Sequence, residues 1–518
     1  MPESKVTLWL LVPVQMKVNS LYTNNAKKWD ASVPIELLGA FFRHTFLRGT
    51  VKTSMNLSQV CRHWRHVALS DPVLWSTIRL TPLGETPFVK LCLKRSKNHD
   101  LKVLYEDFNE YELQKQQMKV FDRSTIHLHQ SQQQQTEQFD PAIFHLHRCR
   151  ELELFFNDIT WNLAVMQRFQ SESAPKLVSF NVFLRGNSEL WTGQPERTGD
   201  IFTGGAPRLS SLTLHGVSPL ECHVPLSRIT DLSLGMRASS QRLPDLNPAE
   251  IIGILREVAV TLKHLTLDGV HVVSDDDYPW SEIELPILVT LRFGNTDDEE
   301  REECEDYVKD VWQFLGMPLL EDLWLFDLTS SQVAWVLLAL KGGRGAGIKS
   351  LSLYNVGMDE LDEAITDILP NIHSLSLEVG TIPFDFPGLL NPNEHASLSR
   401  QKIIWPLLQC LTLTSWHTEE DTAIFRNLLR GRKALGCPIR RVVFRGYRLA
   451  YSSLSLAHEH IDDESKEAKE AKEAVGEVPN CYQRTEQASV LDLNLWLECV
   501  IYDNEHFKSG QGSNLNGV

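Results

Sequence analysis

No stretch of this 518-residue sequence has the roughly 18 apolar residues that a membrane-crossing helix requires. The apolar run from Val6 to Val14 is too short. With Glu3 before it, Pro13 inside it and no small-residue cleavage pattern close behind, it reads as a lead-in and not a secretory leader. A basic excess is also lacking. Lys and Arg number 51 against 67 Asp and Glu, a net charge of −16, which excludes a general nucleic-acid binder that must displace counterions with a basic face. The nine cysteines are scattered singly without a repeated pair spacing. That pattern argues against a secreted disulfide frame and for reduced thiols in the cytoplasm or nucleus.

Catalytic signatures are missing as well. Lys341 to Gly347 (KGGRGAG) is glycine-rich but lacks the G-K-[ST] ending of a phosphate loop, and is expected to turn a helix into the strand at Ile348. No G-x-S-x-G elbow occurs. The acidic runs Ser274–Asp277 and Asp297–Asp306 lack the spaced oxygens and turn glycine of a calcium loop; they read as solvated loops that could attract a basic cargo. His127, His129, His145, His147 and Cys149 alternate as strand neighbours would, but match no structural zinc spacing. The expectation is no enzyme, no cofactor and no metal.

What is present begins with Val33 to Leu80. Pro34 suits the first turn of a helix, where its missing N–H would be unpaired anyway. Leu37, Leu38, Phe41 and Phe42 then recur at helical spacing. A second run places Leu57, Val60, Cys61, Trp64, Val67 and Ala68 on one side, and Asp71-Pro72 ends it because the residue before proline is pushed out of the helical region. Such a short helical pair cannot bury all its own apolar surface, so some of it should face a partner.

These residues resemble an F-box, in Val33-Pro34, Glu36-Leu37-Leu38, Phe41-Phe42, Val60-Cys61-Arg62, Trp64-Arg65, Ala68, Pro72 and Leu74-Trp75. Leu47 to Met55 departs from the family by carrying polar Arg48, Thr50, Lys52 and Ser54, and Val33 stands where leucine is usual. The resemblance implies docking on a Skp-family adaptor seated on a cullin scaffold. Pro34, Leu37, Leu38, Phe41, Leu57, Val60, Cys61, Trp64 and Trp75 are the candidate adaptor contacts, part of which must pack the domain itself.

A helix over Glu85–Ser96 and a strand over Leu101–Tyr105 follow, then a glutamine-rich insertion (114–117 and 131–138) that can supply no core. From Cys149 onward an apolar-x-x-apolar-x-apolar pattern returns eleven times, its middle positions at Leu152, Phe180, Leu212, Leu232, Leu265, Leu291, Leu323, Leu351, Leu375, Leu411 and Val442. The steps run from 20 to 36 residues, the period of leucine-rich repeats with insertions. Prolines at 175, 207, 286, 318, 370, 406 and 438 precede the strands and launch them. Helical spacing over Ile251–Val260, Tyr307–Leu315 and Thr422–Leu429 supplies returns.

The expected fold is α/β: an all-α F-box, then an irregular leucine-rich-repeat solenoid with a parallel sheet, a horseshoe roughly 50 Å long at about 4.8 Å per strand. Its parts are a lead-in (1–31), the F-box (32–80), a connecting helix, strand and insertion (81–144), the repeats (145–456), a charged linker (457–487) and a possible cap with a tail (488–518). Alternation along each strand puts the leucines inward and Thr266, Asp268, Arg292, Trp324, Phe326, Ser352, Tyr354, Ser376, Glu378 and Thr412 outward. Of these, Asp268, Arg292, Trp324, Phe326, Tyr354 and Glu378 are the candidate substrate contacts, aromatics being enriched at binding hot spots. The implied function is substrate recognition in an SCF-type ubiquitin ligase, with a protein substrate and neither nucleic acid nor membrane as partner. A second reading is a leucine-rich interaction scaffold without ligase association.

Overall fold

The computed structural model describes residues 33–46, 51–81, 86–106, 143–156, 165–184, 199–217, 219, 222–235, 248–270, 282–294, 305–356, 365–378, 404–414, 428–446 and 497–503. The lead-in, the glutamine-rich insertion, the charged linker, the tail, His127 and His129 lie outside the described residues. The chain forms two compact units, the first over Met1–Arg228 with Ala238–Arg242, the second over Ile229–Arg237 and Leu243–Val518.

Unit 1 starts with three helices, α1 (Ile35–Phe46), α2 (Val51–Val60) and α3 (Arg62–Ser70), and a 3-10 turn over Pro72–Trp75. The expected single run through Leu57 and Ala68 is broken at Cys61. Its backbone is extended (φ −155°, ψ 176°) and its Sγ accepts from the Trp64 N–H at 3.4 Å, so it caps α3. Apolar periodicity carries across such a break and cannot show it. Asp71 ends α3 and caps the 3-10 turn by accepting from the Val73 N–H. Polar Ser54 in the divergent region is buried, its hydroxyl donating to the Leu74 carbonyl at 2.8 Å, so polarity there ties α2 to the 3-10 turn.

Strand β1 (Thr77–Leu80), helix α4 (Thr86–Arg95), and strands β2 (Leu101–Glu106), β3 (Cys149–Phe156), β4 (Ser179–Leu184) and β5 (Ser211–His215) complete unit 1. The five strands pair in sequence order and in parallel. β1 is an additional strand, made from residues that the sequence pattern assigns to the end of the helical segment. Arg148, buried, binds the strands to α4: its guanidinium donates to the Leu93 carbonyl (3.2 Å), the Ser96 hydroxyl (3.1 Å), the His99 carbonyl (3.2 Å) and the Lys97 carbonyl. Three of these acceptors lie at or just beyond the C-terminus of α4, where carbonyls lack helical partners and a cation is favoured.

Unit 2 repeats one plan. Strands β6 (Asp231–Gly235), β7 (His264–Asp268), β9 (Thr290–Gly294), β11 (Asp322–Phe326), β12 (Ser350–Tyr354), β13 (Ser374–Glu378), β14 (Cys410–Thr414) and β15 (Arg441–Gly446) are parallel neighbours in that order. The two-residue strands β8 (Ile283–Glu284) and β10 (Leu315–Gly316) pair with each other. Register holds leucine against leucine: Leu323 lies opposite Leu291 and Leu351, and Leu325 opposite Phe293 and Leu353. All eleven repeat positions fall on strands, and inward residues such as Leu265, Leu291 and Leu323 are fully buried. Helices α5 (Pro248–Val258), α6 (Glu305–Phe314), α7 (Ser330–Leu340) and α8 (Ile365–Ile368) form the returns, with a further helix at 428–434. β16 (Leu497–Asp503) pairs antiparallel with β15.

Five of the seven prolines make one kind of turn into the strand. Leu177, Leu209, Leu288, Leu320 and Leu408 each donate an N–H to the carbonyl three residues back (3.0–3.3 Å), with proline at the second turn position. Its fixed φ suits that site. A second signature follows the strands. Gly216, Gly269, Asp327 and Asn355, each two residues past the last inward leucine, have positive φ of 74°, 60°, 53° and 49°. Asn355 donates its side-chain amide to Asp327 Oδ1 at 2.6 Å, holding one of these turns to the next.

Candidate functional site

The helical segment divides the proposed adaptor contacts into two groups. Leu38, Leu57 and Trp75 are buried. They are corrected from contacts to packing groups, because side chains with less than a tenth of their surface accessible chiefly pack the domain itself. Trp75 donates its indole N–H to the Ala68 carbonyl at 2.7 Å and lies under the Arg95 guanidinium at 4.2 Å. Phe41 and Trp64 are half-buried in an aromatic group with Phe42, Trp64 meeting Phe42 edge-on at 5.0 Å. Cys61 is partly exposed as the cap. Pro34, Leu37 and Val60 face solvent, Leu37 at 63% and Val60 at 44% exposure. The structure adds Ile35 and Met55, also exposed. Ile35 and Leu37 lie on α1 and Met55 and Val60 on α2, so each of these helices leaves large apolar side chains that the domain does not cover.

The outward face of unit 2 gathers most of the proposed cargo contacts. Trp324 sits opposite Arg292 across β9 and β11, and the guanidinium lies 4.3 Å from the ring centroid. Its other close ring neighbour is Tyr354, diagonally placed on β12 and stacked at 5.7 Å with planes 19° apart. Tyr354 bonds Ser376 through the two hydroxyls at 2.9 Å. Phe326 lies over Gly294, where any Cβ would collide with its ring and its carbonyl, so glycine there creates the ring's seat. Ser352, Ser376 and Thr412 are buried, Ser352 opposite Trp324, Ser376 bonded to Tyr354 and Thr412 opposite Ser376. They are corrected from exposed positions, since large neighbours on a strand face cover small ones. Asp268 is half-exposed and Arg292 exposed. The Glu378 backbone pairs with Thr414; its side chain is outside the described residues.

Sequence reasoning missed a matching row in unit 1. Phe155 and Phe183 stack at 4.6 Å with planes 7° apart, and His215 follows at 5.3 Å. These occupy the strand position that Phe326 and Tyr354 hold in unit 2, so applying the same alternation to β3, β4 and β5 finds them. Beside them, Lys102 meets Glu153 at 2.7 Å and Glu151 at 3.2 Å, and Arg79 pairs with Glu106.

His145 and His147 are 6.0 Å apart between ring centroids. Burial first, then the Arg148 and His147 charges, hold His145 below the usual imidazole value. Burial pushes the Cys149 thiol up to about 12, which disfavours the thiolate a metal needs. Among the described residues no group of three or more potential ligands converges, and no helix is long and apolar enough to cross a membrane.

Residues 31–81 match the F-box-like family. The chain therefore carries an F-box-like domain, followed by parallel strand repeats in a mixed α/β architecture. No curated protein matches the chain. Among solved structures, that of the Rad7 and Elc1 complex in yeast shows a likeness with a TM-score of 0.33 and 13% identity, over 79% of this chain and 93% of that one.

Proposed function

We propose that the chain is the substrate-recognition subunit of a cullin-based, SCF-type ubiquitin ligase in the cytoplasm or nucleus. Its F-box-like domain docks on a Skp-family adaptor and its repeats hold a protein substrate. The observation that carries this reading is that Ile35, Leu37, Met55 and Val60 are large apolar side chains left exposed on α1 and α2, inside the segment that matches the F-box-like family. The chain contributes no bond-making chemistry of its own. It holds the substrate near the carrier of ubiquitin, and proximity converts a bimolecular encounter into an effectively intramolecular one.

Co-purification of the full chain with a Skp-family adaptor tests this. Wild type should capture the adaptor, and Leu37→Asp with Val60→Asp should weaken capture at least about tenfold, since each puts a charge in an apolar interface. Both positions are exposed, so the fold is retained. If wild type captures none, the ligase reading fails and the scaffold reading replaces it.

A further inference from the structure

We propose that one edge of the unit 1 sheet, where its strands begin, binds an acidic segment of a partner protein, with Arg150, Lys176, Arg208 and Arg228 receiving its carboxylates. This rests on the reading of the repeats as the part that holds the substrate, and specifies the chemistry of that substrate. The first support is position. Lys176, Arg208 and Arg228 each stand three residues before a strand, β4, β5 and β6 in turn. From β7 onward that place holds no charged residue, as at Thr261, Ile287, Leu319 and Leu407. Hydrogen bonds put the cations side by side. The Arg150 carbonyl accepts from the Val178 N–H at 2.8 Å, the Ala174 N–H donates to the Gly205 carbonyl at 2.9 Å, and the Arg228 guanidinium donates to the Pro207 carbonyl at 3.0 Å. Steps of about 4.8 Å per strand spread the four cations over roughly 14 Å, which about five residues of extended chain can span.

The second support is charge. In the segments that form this edge, 97–100, 147–150, 170–178, 199–210 and 222–230, Lys97, Arg148, Arg150, Lys176, Arg208 and Arg228 outnumber Asp100, Glu172 and Asp200. Within a chain of net charge −16 this is a local positive excess, and a field of one sign raises the local concentration of opposite charge. Two of those carboxylates are taken up, Asp100 by Lys176 at 2.7 Å and Asp200 by His223 at 3.0 Å. The hydrogen bond from Lys176, and then the charges of Lys176, His99 and Arg150, outweigh burial and hold the Asp100 carboxyl below its ordinary value. One carboxylate there answers three cations. Arg150, Arg208 and Arg228 are exposed, and none is in an ion pair among the described residues. Beside Arg228 the surface is hollowed into an open cavity of about 480 Å³, lined among others by Phe202, Thr203, Pro207 and His223, so the edge is concave where the row ends. Asp100 and Asp200 among the cations would repel a continuous polyanion such as a nucleic acid, whereas a peptide can set neutral residues opposite them.

The test uses the full chain and fluorescence anisotropy with labelled peptides of equal length, Glu-Gly-Ser, Lys-Gly-Ser and Gly-Ser alone, beside an oligothymidylate. The acidic peptide should bind best, against the sign of the whole chain, and more weakly as salt rises. Arg150→Gln with Arg208→Gln should weaken it about tenfold; both side chains are exposed, so the fold is retained. Lys349→Gln, which removes an exposed unit 2 cation at the same charge cost, should change nothing. Equal or better binding of the basic peptide overturns the proposal. So does an acidic preference that survives the double variant, or one that Lys349→Gln weakens as much. Tighter binding of the oligothymidylate, lost in the double variant, also overturns it and assigns the edge to nucleic acid. Adaptor capture by the same preparations is measured in parallel: absence of acidic-peptide binding with capture intact rejects this inference alone, and absence of capture with peptide binding intact rejects the ligase reading alone.

Discussion

The two units build the same parallel strands and fill the outward rows differently. In unit 1 the charges on that face are answered by neighbouring strands: Arg79 by Glu106 from β1 to β2, and Lys102 by Glu151 and Glu153 from β2 to β3. Its aromatic row, Phe155, Phe183 and His215, is a stack closed on itself. In unit 2, Lys349 pairs with Glu321 one residue before the strands and His264 approaches Asp231 at their first residues, and the middle of the face holds Arg292, Trp324, Phe326 and Tyr354. A charge already neutralised by a neighbour has less to offer a ligand, because binding must first undo the pairing. The Trp324 ring is held differently, between the Arg292 guanidinium and the Tyr354 ring. The difference leaves the sheet face of unit 1 held chiefly by ion pairs between strands and the middle of the unit 2 face by ring contacts.

Perturbing each unit separately tests that division. The largest effect is expected from Arg148→Met in unit 1. Methionine fills much of the volume but leaves the Lys97 and His99 carbonyls without the guanidinium and the Leu93 carbonyl with the Ser96 hydroxyl alone, and the cost should be about 3 kcal/mol. Amide hydrogen exchange should accelerate in β2 and β3 and stay unchanged in β11 and β12; equal acceleration in both units would show that their stabilities are not separable. Next is Gly294→Ala in unit 2. The added methyl group must displace the Phe326 ring and carbonyl, which overpacks the site by about 1–3 kcal/mol. Exchange in β9 and β11 should rise while β2 and β3 hold, and a null result would mean that Phe326 does not occupy its seat over Gly294.

How much of this was legible depended on the kind of regularity. The leucine alternation located all eleven repeat strands, because an inward position tolerates little besides a large apolar side chain. Lys341 to Gly347 behaves as anticipated: Gly342 and Gly343 adopt positive φ (82° and 99°) and hand α7 to β12. Helix α7 itself gave no periodic signal, since SSQVAWVLLAL is apolar nearly all round, and only its Thr329–Gln332 capping box marks its start. β1 was hidden because TIRL is too short to separate from the helical segment before it. The candidate site was legible as a row of outward positions but not in its contacts. Which of Ser352, Trp324 or Tyr354 stays accessible depends on rings reaching diagonally across strands, and a pattern along one strand does not contain that.

The smallest effect probes the unit 1 charges themselves. Burial works against the Lys102 ammonium, but its hydrogen bonds and attraction to Glu153, and then Glu151, outweigh this and hold its pKa above the ordinary value of 10.5. A base raised in the folded state contributes stability that is complete below its unfolded pKa and is lost as pH rises through the folded one. Lys102 and Glu151 are each more than a third exposed, so solvent screening keeps the contribution below about 1 kcal/mol. Lys102→Met should therefore lower unit 1 stability slightly at neutral pH. The difference from wild type should shrink in high salt and fade as pH climbs beyond 10.5. Arg292→Met in unit 2 removes a guanidinium held over the Trp324 ring, so its effect on that stack should not follow the Lys102 profile. If both variants fade alike with pH, the loss comes from general charge repulsion in an acidic chain, and the contrast between a face held by ion pairs and one held by ring contacts does not hold.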